Sequence, residues 1–228
     1  MEFEPYRFIL KRLNDHGHSA YFVGGCVRDF FLNKRITDVD IATSAPQRVV
    51  AQLFIDHDID LSAASFGVVT LNKPVICQIA TYRTESNYQN HRYPGEITFV
   101  DDVSLDAYRR DFTVNALYLD KEMTLFDPFN GKDDLQKRIL RSIGDPSIRL
   151  NEDALRILRA VRFCVTLEFE METELMNACI DCSKTLIYLK ENAIELERRK
   201  LFKNDLTNMQ TEKLEYYRKI IMGLKNYF

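Results

Sequence analysis

Residues 37–43 read Thr-Asp-Val-Asp-Ile-Ala-Thr. Two carboxylates alternate with two β-branched apolar residues. In an extended strand residues i and i+2 share a face, so Asp38 and Asp40 project to one side and Val39 and Ile41 to the other. An amphipathic edge strand with a solvated acidic face has the same pattern, and for an isolated Asp-x-Asp that is the commoner case. The alternative is a divalent-metal site, because a hard cation such as Mg²⁺ takes a few carboxylates together with substrate phosphates and water. The residues around the stretch decide between the two.

About a dozen residues upstream, Gly24-Gly25-Cys26-Val27-Arg28-Asp29 joins a short apolar strand pattern to a helical one. A tight turn alone accounts for two glycines. They also let the backbone approach a ligand closely, a helix start offers N–H groups to phosphate, and Arg28 one turn in can neutralise phosphate charge. A triphosphate cradle beside a two-carboxylate metal site is what nucleotidyl transfer requires. Downstream, Arg109, Arg110 and Asp111 crowd charge ahead of the apolar run 112–117. Asp111 reads either as the cap of a solvated helix end or, with Arg110, as a partner for ribose or phosphate.

In "NEDALRILRAVRF" (151–163), Asp153 and Arg156 are i and i+3 on an expected helix and so share a face. Glu152 and Arg156 also have the spacing of a surface ion pair. On their pairing edges cytosine and adenine show an amino donor beside a ring-nitrogen acceptor, while uracil and guanine show the reverse. A carboxylate accepts from the amino group and a guanidinium donates to the ring nitrogen. One fixed Asp–Arg pair can therefore accept C and A and reject U and G without a template. Residues 84–96 read as an irregular polar loop in which Tyr88, His91, Arg92 and Tyr93 are candidates for stacking or phosphate contacts.

The chain has 228 residues, 46% of them hydrophobic and 11% aromatic, with a net charge of −3. A real core is expected, and the charge argues against a uniformly basic nucleic-acid binder while leaving room for a local basic groove. The five cysteines read as reduced core thiols, since Cys179-x-x-Cys182 lacks a second pair or histidines at zinc spacing. No apolar run reaches the length of a membrane span, and the acidic, amphipathic "MEFEPYRFILKRL" is unlike a targeting signal. No membrane partner and a cytoplasmic location are expected. Short helix and strand patterns alternate up to residue 143. They include a helix ended by Gly17, a helix capped by Ser44 with Pro46 in its first turn, and a strand pair around Asn72-Lys73-Pro74. Helical periodicity dominates 144–228. This predicts an α/β domain over 1–143 followed by an all-helical region.

In order along residues 20–165, "GGCVRD", "TDVDIAT", "RRDFTVNAL", "DPFNGKDDLQKRILRSIGDP" and "NEDALRILRAVRF" resemble the successive motifs of class II tRNA nucleotidyltransferases. These are the CCA-adding enzymes, with bacterial poly(A) polymerases as close relatives. Five motifs in order are far more specific than one, and they turn the reading of Asp38 and Asp40 toward metal. The resemblance implies a DNA polymerase β-like nucleotidyltransferase head with a mixed sheet, followed by a helical neck. It implies that Asp38 and Asp40 hold catalytic Mg²⁺ and that Gly24, Gly25 and Arg28 bind the triphosphate. It assigns Arg110 and Asp111 to the ribose, and Asp153 and Arg156 to the incoming base, with Arg159 as a further motif residue. "IELERRKLFKNDL" (194–206) resembles the neck segment that supports the base-reading helix. The implied activity is addition of C and A to the 3′ end of tRNA from CTP and ATP, with release of pyrophosphate. An A-adding enzyme, a poly(A) polymerase or a weakened, non-catalytic nucleotide-binding copy are the alternatives.

Three departures from the family pattern bear on this. Gln78 stands where relatives commonly carry an acid, which weakens the metal site or the activation of the primer hydroxyl. The sequence ends soon after the neck, so the body and tail that the resemblance implies are expected to be shortened or missing. The hold on tRNA is then expected to be weaker unless a homodimer or a separate chain supplies that surface. Residues 84–96 read "NHRYPG" where relatives often show a more acidic and basic run, but they keep the family's loop length, which favours full CCA or A addition over CC addition.

Overall fold

Short apolar runs of β-branched and aromatic residues build one seven-stranded sheet from the first part of the chain. A computed structural model describes residues 2–228. In chain order the elements are α1 (Arg7–Asp15), β1 (Ala20–Val23), α2 (Gly25–Phe31), β2 (Val39–Thr43), α3 (Gln47–Leu53), β3 (Asp58–Asp60), β4 (Val68–Lys73), β5 (Cys77–Thr81), β6 (Arg83–Ser86), β7 (Glu96–Phe99), α4 (Val103–Tyr108), β8 (Tyr118–Leu119), β9 (Leu125–Phe126) and α5 (Gly131–Lys137). The sheet order is β3-β4-β5-β2-β1-β8-β9. The β2–β5 pair is parallel and the other pairs are antiparallel, which makes the sheet mixed.

The alternation seen in the sequence sets the two faces. Val39 and Ile41 of β2 and Cys77 and Ile79 of β5 are buried, whereas Asp40 is half-buried and Gln78 is exposed. Ile9, Leu10 and Leu13 of α1 are buried in the same core, and Phe3 stacks on Phe22 at 4.5 Å between ring centroids. Gly17 ends the α1 segment in a left-handed conformation, φ +81°, as its sequence position predicts.

Two local expectations are corrected. Ser44 does not cap α3; its hydroxyl accepts from the Ser19 N–H at 3.0 Å, and the helix starts from the Pro46 carbonyl, which takes the Val49 and Val50 N–H groups. Residues 84–96 are not irregular throughout. β6 and β7 form a two-stranded ribbon, with Gln89 and Tyr93 bridged at its tip. Arg83-Thr84-Glu85-Ser86 is polar on both faces, so no hydrophobic alternation marks the strand.

The chain divides into two units, Met1–Glu85 with Ile97–Leu135, and Ser86–Glu96 with Gln136–Phe228. The second unit contains β10 (Ile139–Leu140), α6 (Pro146–Glu152), α7 (Leu155–Leu167), β11 (Glu170–Met171), α8 (Thr173–Asp181), α9 (Glu191–Leu201) and α10 (Asn208–Ile220). It is helical apart from the ribbon tip and a two-residue parallel pair, β10–β11. Eleven of the thirteen residues of α7 are buried, so α7 is the central helix, with α9 and α10 packed on it. All five cysteines are buried free thiols, and burial pushes Cys26 up to about 11. Among the described residues no helix is long and apolar enough to cross a membrane.

Candidate active site

β1 and β2 run antiparallel with Val23 opposite Asp40. The chain turns directly after Val23, at Gly24, with φ +78° and ψ −135°, a conformation open essentially to glycine alone. A Cβ on Gly24 would lie 3.7 Å from Arg110 Nη1 and 3.8 Å from Asp40 Oδ2. The turn thus brings together three groups distant in sequence. Gly25 opens α2, where a Cβ would meet Arg28 Nη2 at 3.6 Å.

Asp38 is exposed at the entry to β2, with Thr37 Oγ1 donating to its Oδ2 at 3.0 Å. Burial pushes the Asp40 carboxyl above its ordinary value; Arg110 pulls it back and the charge of Asp38 adds to the rise. Across the sheet, Asp40 is in register with Gln78 of β5, and Gln78 with Thr70 of β4. Asp38, Asp40, Thr70, Ile76 and Gln78 line one cleft of ≈ 510 Å³.

Arg28 is buried. It donates to Asp29 Oδ1 through Nε at 2.9 Å and to Asn115 Oδ1 through Nη1 at 2.8 Å. Asn115 Nδ2 in turn donates to Asp111 Oδ1 at 3.0 Å, which also accepts the Phe112 N–H at 2.8 Å. Arg28 and Asp111 are therefore two ends of one network. Asp111 precedes a single 3₁₀ turn, Thr113–Asn115, and caps no α-helix.

Arg110 is fixed from behind. Its Nε donates to Tyr118 Oη at 2.8 Å and its Nη2 to Asp106 Oδ2 at 3.0 Å, and Tyr118 Oη donates to the same Asp106 oxygen at 3.0 Å. Arg109 Nε donates to the other oxygen at 2.9 Å. Asp106 is wholly buried. Burial alone would raise its pKa, but Arg110 and Arg109 outweigh it and hold the carboxyl below its ordinary value. Asp106, Asn115 and Tyr118 escaped the sequence reading. The available signal was the i,i+3 and i,i+4 spacing of Asp106 to Arg109 and Arg110.

Among the described residues no group of three or more His, Cys, Asp or Glu side chains could hold a metal ion. The donor set is two carboxylates at an open cleft. A small hard cation that keeps waters and takes phosphate oxygens needs one or two protein carboxylates. Asp38 and Asp40 fit a divalent ion held together with phosphates, and do not form a closed protein cage.

In the second unit, the single helix expected over 151–163 is two helices. α6 is capped by Asp145 and ends at Glu152; Asp153 follows with φ −138° and ψ 99°. Its Oδ1 accepts the Leu155 N–H at 3.0 Å, a local bond that competes with helix continuation. Asp153 and Arg156 therefore do not share a helix face. Asp153 sits in the break and Arg156 in the first turn of α7. Asp153 Oδ2 takes Arg92 Nη1 at 2.8 Å. Burial raises the Asp153 pKa, and Arg92 and then Arg156 pull it back. Arg156 is buried, so its ion pair with Glu152 at 3.1 Å is not a surface pair. It also donates to the Arg149 carbonyl at 2.8 Å and reaches Tyr88 Oη at 3.4 Å.

The ribbon tip is tied to the same break. His91 O accepts the Ala154 N–H at 2.8 Å, and His91 Nδ1 lies 2.7 Å from Asn151 O. Tyr88, His91 and Arg92 thus meet the α6–α7 junction, while Tyr93 lies 5.2 Å from the Lys190 ammonium. Arg159 lies 3.8 Å from buried Glu197 of α9, which also takes Arg162 Nε at 2.5 Å. α9 lies within the segment 194–206 expected to support this helix.

A family model described as the poly(A) polymerase head domain matches residues 20–141. A CCA-adding enzyme from Geobacillus sp. (strain WCH70) is 42% identical over 193 residues, covering 85% of this chain and 48% of the relative. One from Limosilactobacillus reuteri is 40% identical over 225 residues, covering 99% of this chain and 52% of the relative. The chain thus spans about half the length of these relatives. Among solved structures, the Bacillus stearothermophilus CCA-adding enzyme in complex with CTP superposes with a TM-score of 0.86 at 31% identity, covering 99% of this chain and 56% of that one. A tRNA nucleotidyltransferase complexed with a primer tRNA and an incoming ATP analog has a TM-score of 0.70 at 27% identity, covering 93% of this chain and 60% of that one.

Proposed function

Since this chain belongs to the poly(A) polymerase head-domain family, we propose that it is a template-independent nucleotidyltransferase that adds C and A residues from CTP and ATP to the 3′ end of tRNA. The observation that carries this reading is the meeting of Gly24 and Arg110 with Asp40, which lines one cleft together with Asp38. The primer 3′-oxygen forms a bond to the α-phosphorus, the bond to the bridging oxygen breaks, and pyrophosphate leaves. A divalent cation, in this proposal Mg²⁺, supplies charge neutralisation and activation of the hydroxyl when bound. Asp38 and Asp40 would hold it.

The other residues bind and orient. Gly24 and Gly25 leave room for the triphosphate, and Arg110, already anchored by Asp106 and Tyr118 and assigned with Asp111 to the ribose, presents its donors to the nucleotide without reorganisation. The Arg28–Asn115–Asp111 network offers polar groups to phosphate and ribose. In the second unit Asp153 and Arg156 select the base, with Asp153 accepting from the amino group of C or A and Arg156 donating to the ring nitrogen. Arg159 belongs to the same helix and is assigned to its support through Glu197.

The test uses tRNA lacking its 3′ terminus, Mg²⁺ and each labelled triphosphate in turn, with products sized on a sequencing gel. Two C additions followed by one A support the proposal. A long A ladder replaces it with poly(A) synthesis, and A added only to a CC end replaces it with A addition. Transfer retained in Asp40→Asn would remove the metal assignment.

A further inference from the structure

Beside Asp38 and Asp40, the cleft is lined by a polar side chain, Gln78, that the proposed chemistry does not use. Gln78 is exposed on β5, in direct register with Asp40 on the parallel neighbour β2. In-register partners on adjacent strands point to the same face, so the Gln78 amide stands beside the Asp40 carboxylate. Both line the same cleft as Asp38. On the far side Gln78 is flanked by Thr70, another neutral group. The row Thr70–Gln78–Asp40 thus contains a single charge, and the cleft as a whole contains two carboxylates.

We propose that Gln78 is the residue that keeps the nucleotide-free cleft from holding a divalent cation, so that metal enters with the triphosphate and not ahead of it. This inference rests on the nucleotidyltransferase reading for the triphosphate, but its charge argument concerns the cleft alone. An amide oxygen is a weaker ligand than a carboxylate for a hard cation, and two carboxylates on an open surface leave most of the coordination sphere to water and phosphate. A carboxylate at position 78 would lie next to Asp40, and like charges directly opposite on a sheet destabilise it. The neutral amide avoids that repulsion in the empty cleft. Its consequence is that the negative charge needed to retain a dication comes from the nucleotide.

The experiment measures Mn²⁺ binding by electron paramagnetic resonance, with no primer present, for the wild-type chain, Gln78→Glu and Gln78→Ala. Each is measured with and without CTP. The wild-type chain is expected to bind Mn²⁺ in the millimolar range without nucleotide and at least tenfold more tightly with CTP, on the order of what added unit charges beside a dication give in an exposed cleft. Gln78→Glu should bind Mn²⁺ without CTP roughly tenfold more tightly than wild type. It should also melt lower without metal and gain more in Tm when Mn²⁺ is added. Gln78→Ala should bind Mn²⁺ as wild type does. Tight nucleotide-free binding by wild type, or no change in Gln78→Glu, overturns the inference. Loss of Mn²⁺·CTP binding in Gln78→Ala overturns it too, by making the amide a ligand. If the wild-type chain binds no CTP at any metal concentration, the nucleotidyltransferase reading falls. The nucleotide-free comparison of wild type with Gln78→Glu would still decide the role of Gln78.

Discussion

Replacing Asp106 with Asn should uncouple the architecture of the head from its chemistry. Asp106 is wholly buried and takes Arg109 Nε at 2.9 Å, Arg110 Nη2 at 3.0 Å, Tyr118 Oη at 3.0 Å and the Arg83 N–H at 3.3 Å. Asn keeps the shape but offers one acceptor oxygen and turns an N–H₂ toward guanidinium donors. Two buried cations then lose the carboxylate they share, leaving Arg109 with Glu85 at 3.6 Å and Arg110 with the charge of Asp40. Removing one partner of a buried ion pair costs about 3–5 kcal/mol, and the retained oxygen places this variant near 3 kcal/mol. The sign of the pH dependence follows. Arg110 and Arg109 hold the Asp106 carboxyl below its ordinary value against the pull of burial. Its contribution is fully present above the unfolded value of about 3.9 and is lost as pH falls through the lower folded value. The stability gap between wild type and Asp106→Asn should therefore be widest near neutral pH and close below roughly pH 4. Urea titration followed by circular dichroism reads both, since the chain has no tryptophan. A loss under about 1 kcal/mol at neutral pH, or a gap that does not close in acid, would refute the argument that this carboxylate anchors Arg110.

Gly24→Ala places a side chain at φ +78° and a methyl against Arg110 and Asp40; it should cost about 1–3 kcal/mol in urea and lower kcat for every nucleotide. Arg92→Ala removes the first of the groups that pull the Asp153 pKa back down. The other charges facing Asp153, Arg156 and Arg159, remain, but its carboxyl should titrate at higher pH. The ratio of kcat/KM for CTP over UTP should then collapse on the acid side at a higher pH than in wild type; an unshifted profile counts against Arg92 as the residue that keeps Asp153 charged. Chelation of divalent ions by EDTA should abolish transfer while leaving the circular dichroism spectrum and Tm unchanged, because two open-cleft carboxylates contribute no metal-linked folding energy.

What was legible in the sequence was local. The alternation of 39–41 within β2, the Gly-Gly turn and the helical period of α1 each depend on residues within a turn or a strand, and each is found where expected, whereas Asp38 lies just before β2 and the helix expected over 151–163 is continuous only from Leu155. The groups that complete the site depend on partners far along the chain. Arg28 meets Asn115 across 87 positions and Arg92 meets Asp153 across 61, separations that no period reports. Asp106 is the sharper case. A carboxylate within α4 reads as a solvated helix residue, and only the fold buries it and turns its two neighbouring arginines onto it. The split of 151–163 at Asp153 was hidden for the opposite reason. The apolar period continues through it, and a single side-chain bond to the Leu155 N–H breaks the helix.

The distribution of these residues over two units has a kinetic consequence. Every group assigned to phosphate, ribose and metal lies in residues 1–85 or 97–135, and every group assigned to base choice lies in 86–96 or 136–228. Contacts made equally with every nucleotide cannot discriminate among them, whereas contacts to the pairing edge can. Asp40→Asn should therefore lower kcat for CTP and ATP by the same factor and leave their preference over UTP and GTP intact in whatever residual rate is measurable. Asp153→Asn, which replaces a pure acceptor with a group that also donates, should instead raise UTP incorporation relative to CTP with a much smaller change in kcat. Single-turnover incorporation with all four nucleotides separates the two patterns. If Asp40→Asn altered the nucleotide ratio, or Asp153→Asn slowed all four alike, base selection would not reside in the α6–α7 break, because a side chain held there by Arg92 and the Leu155 N–H has no other route to distinguish an amino group from a carbonyl.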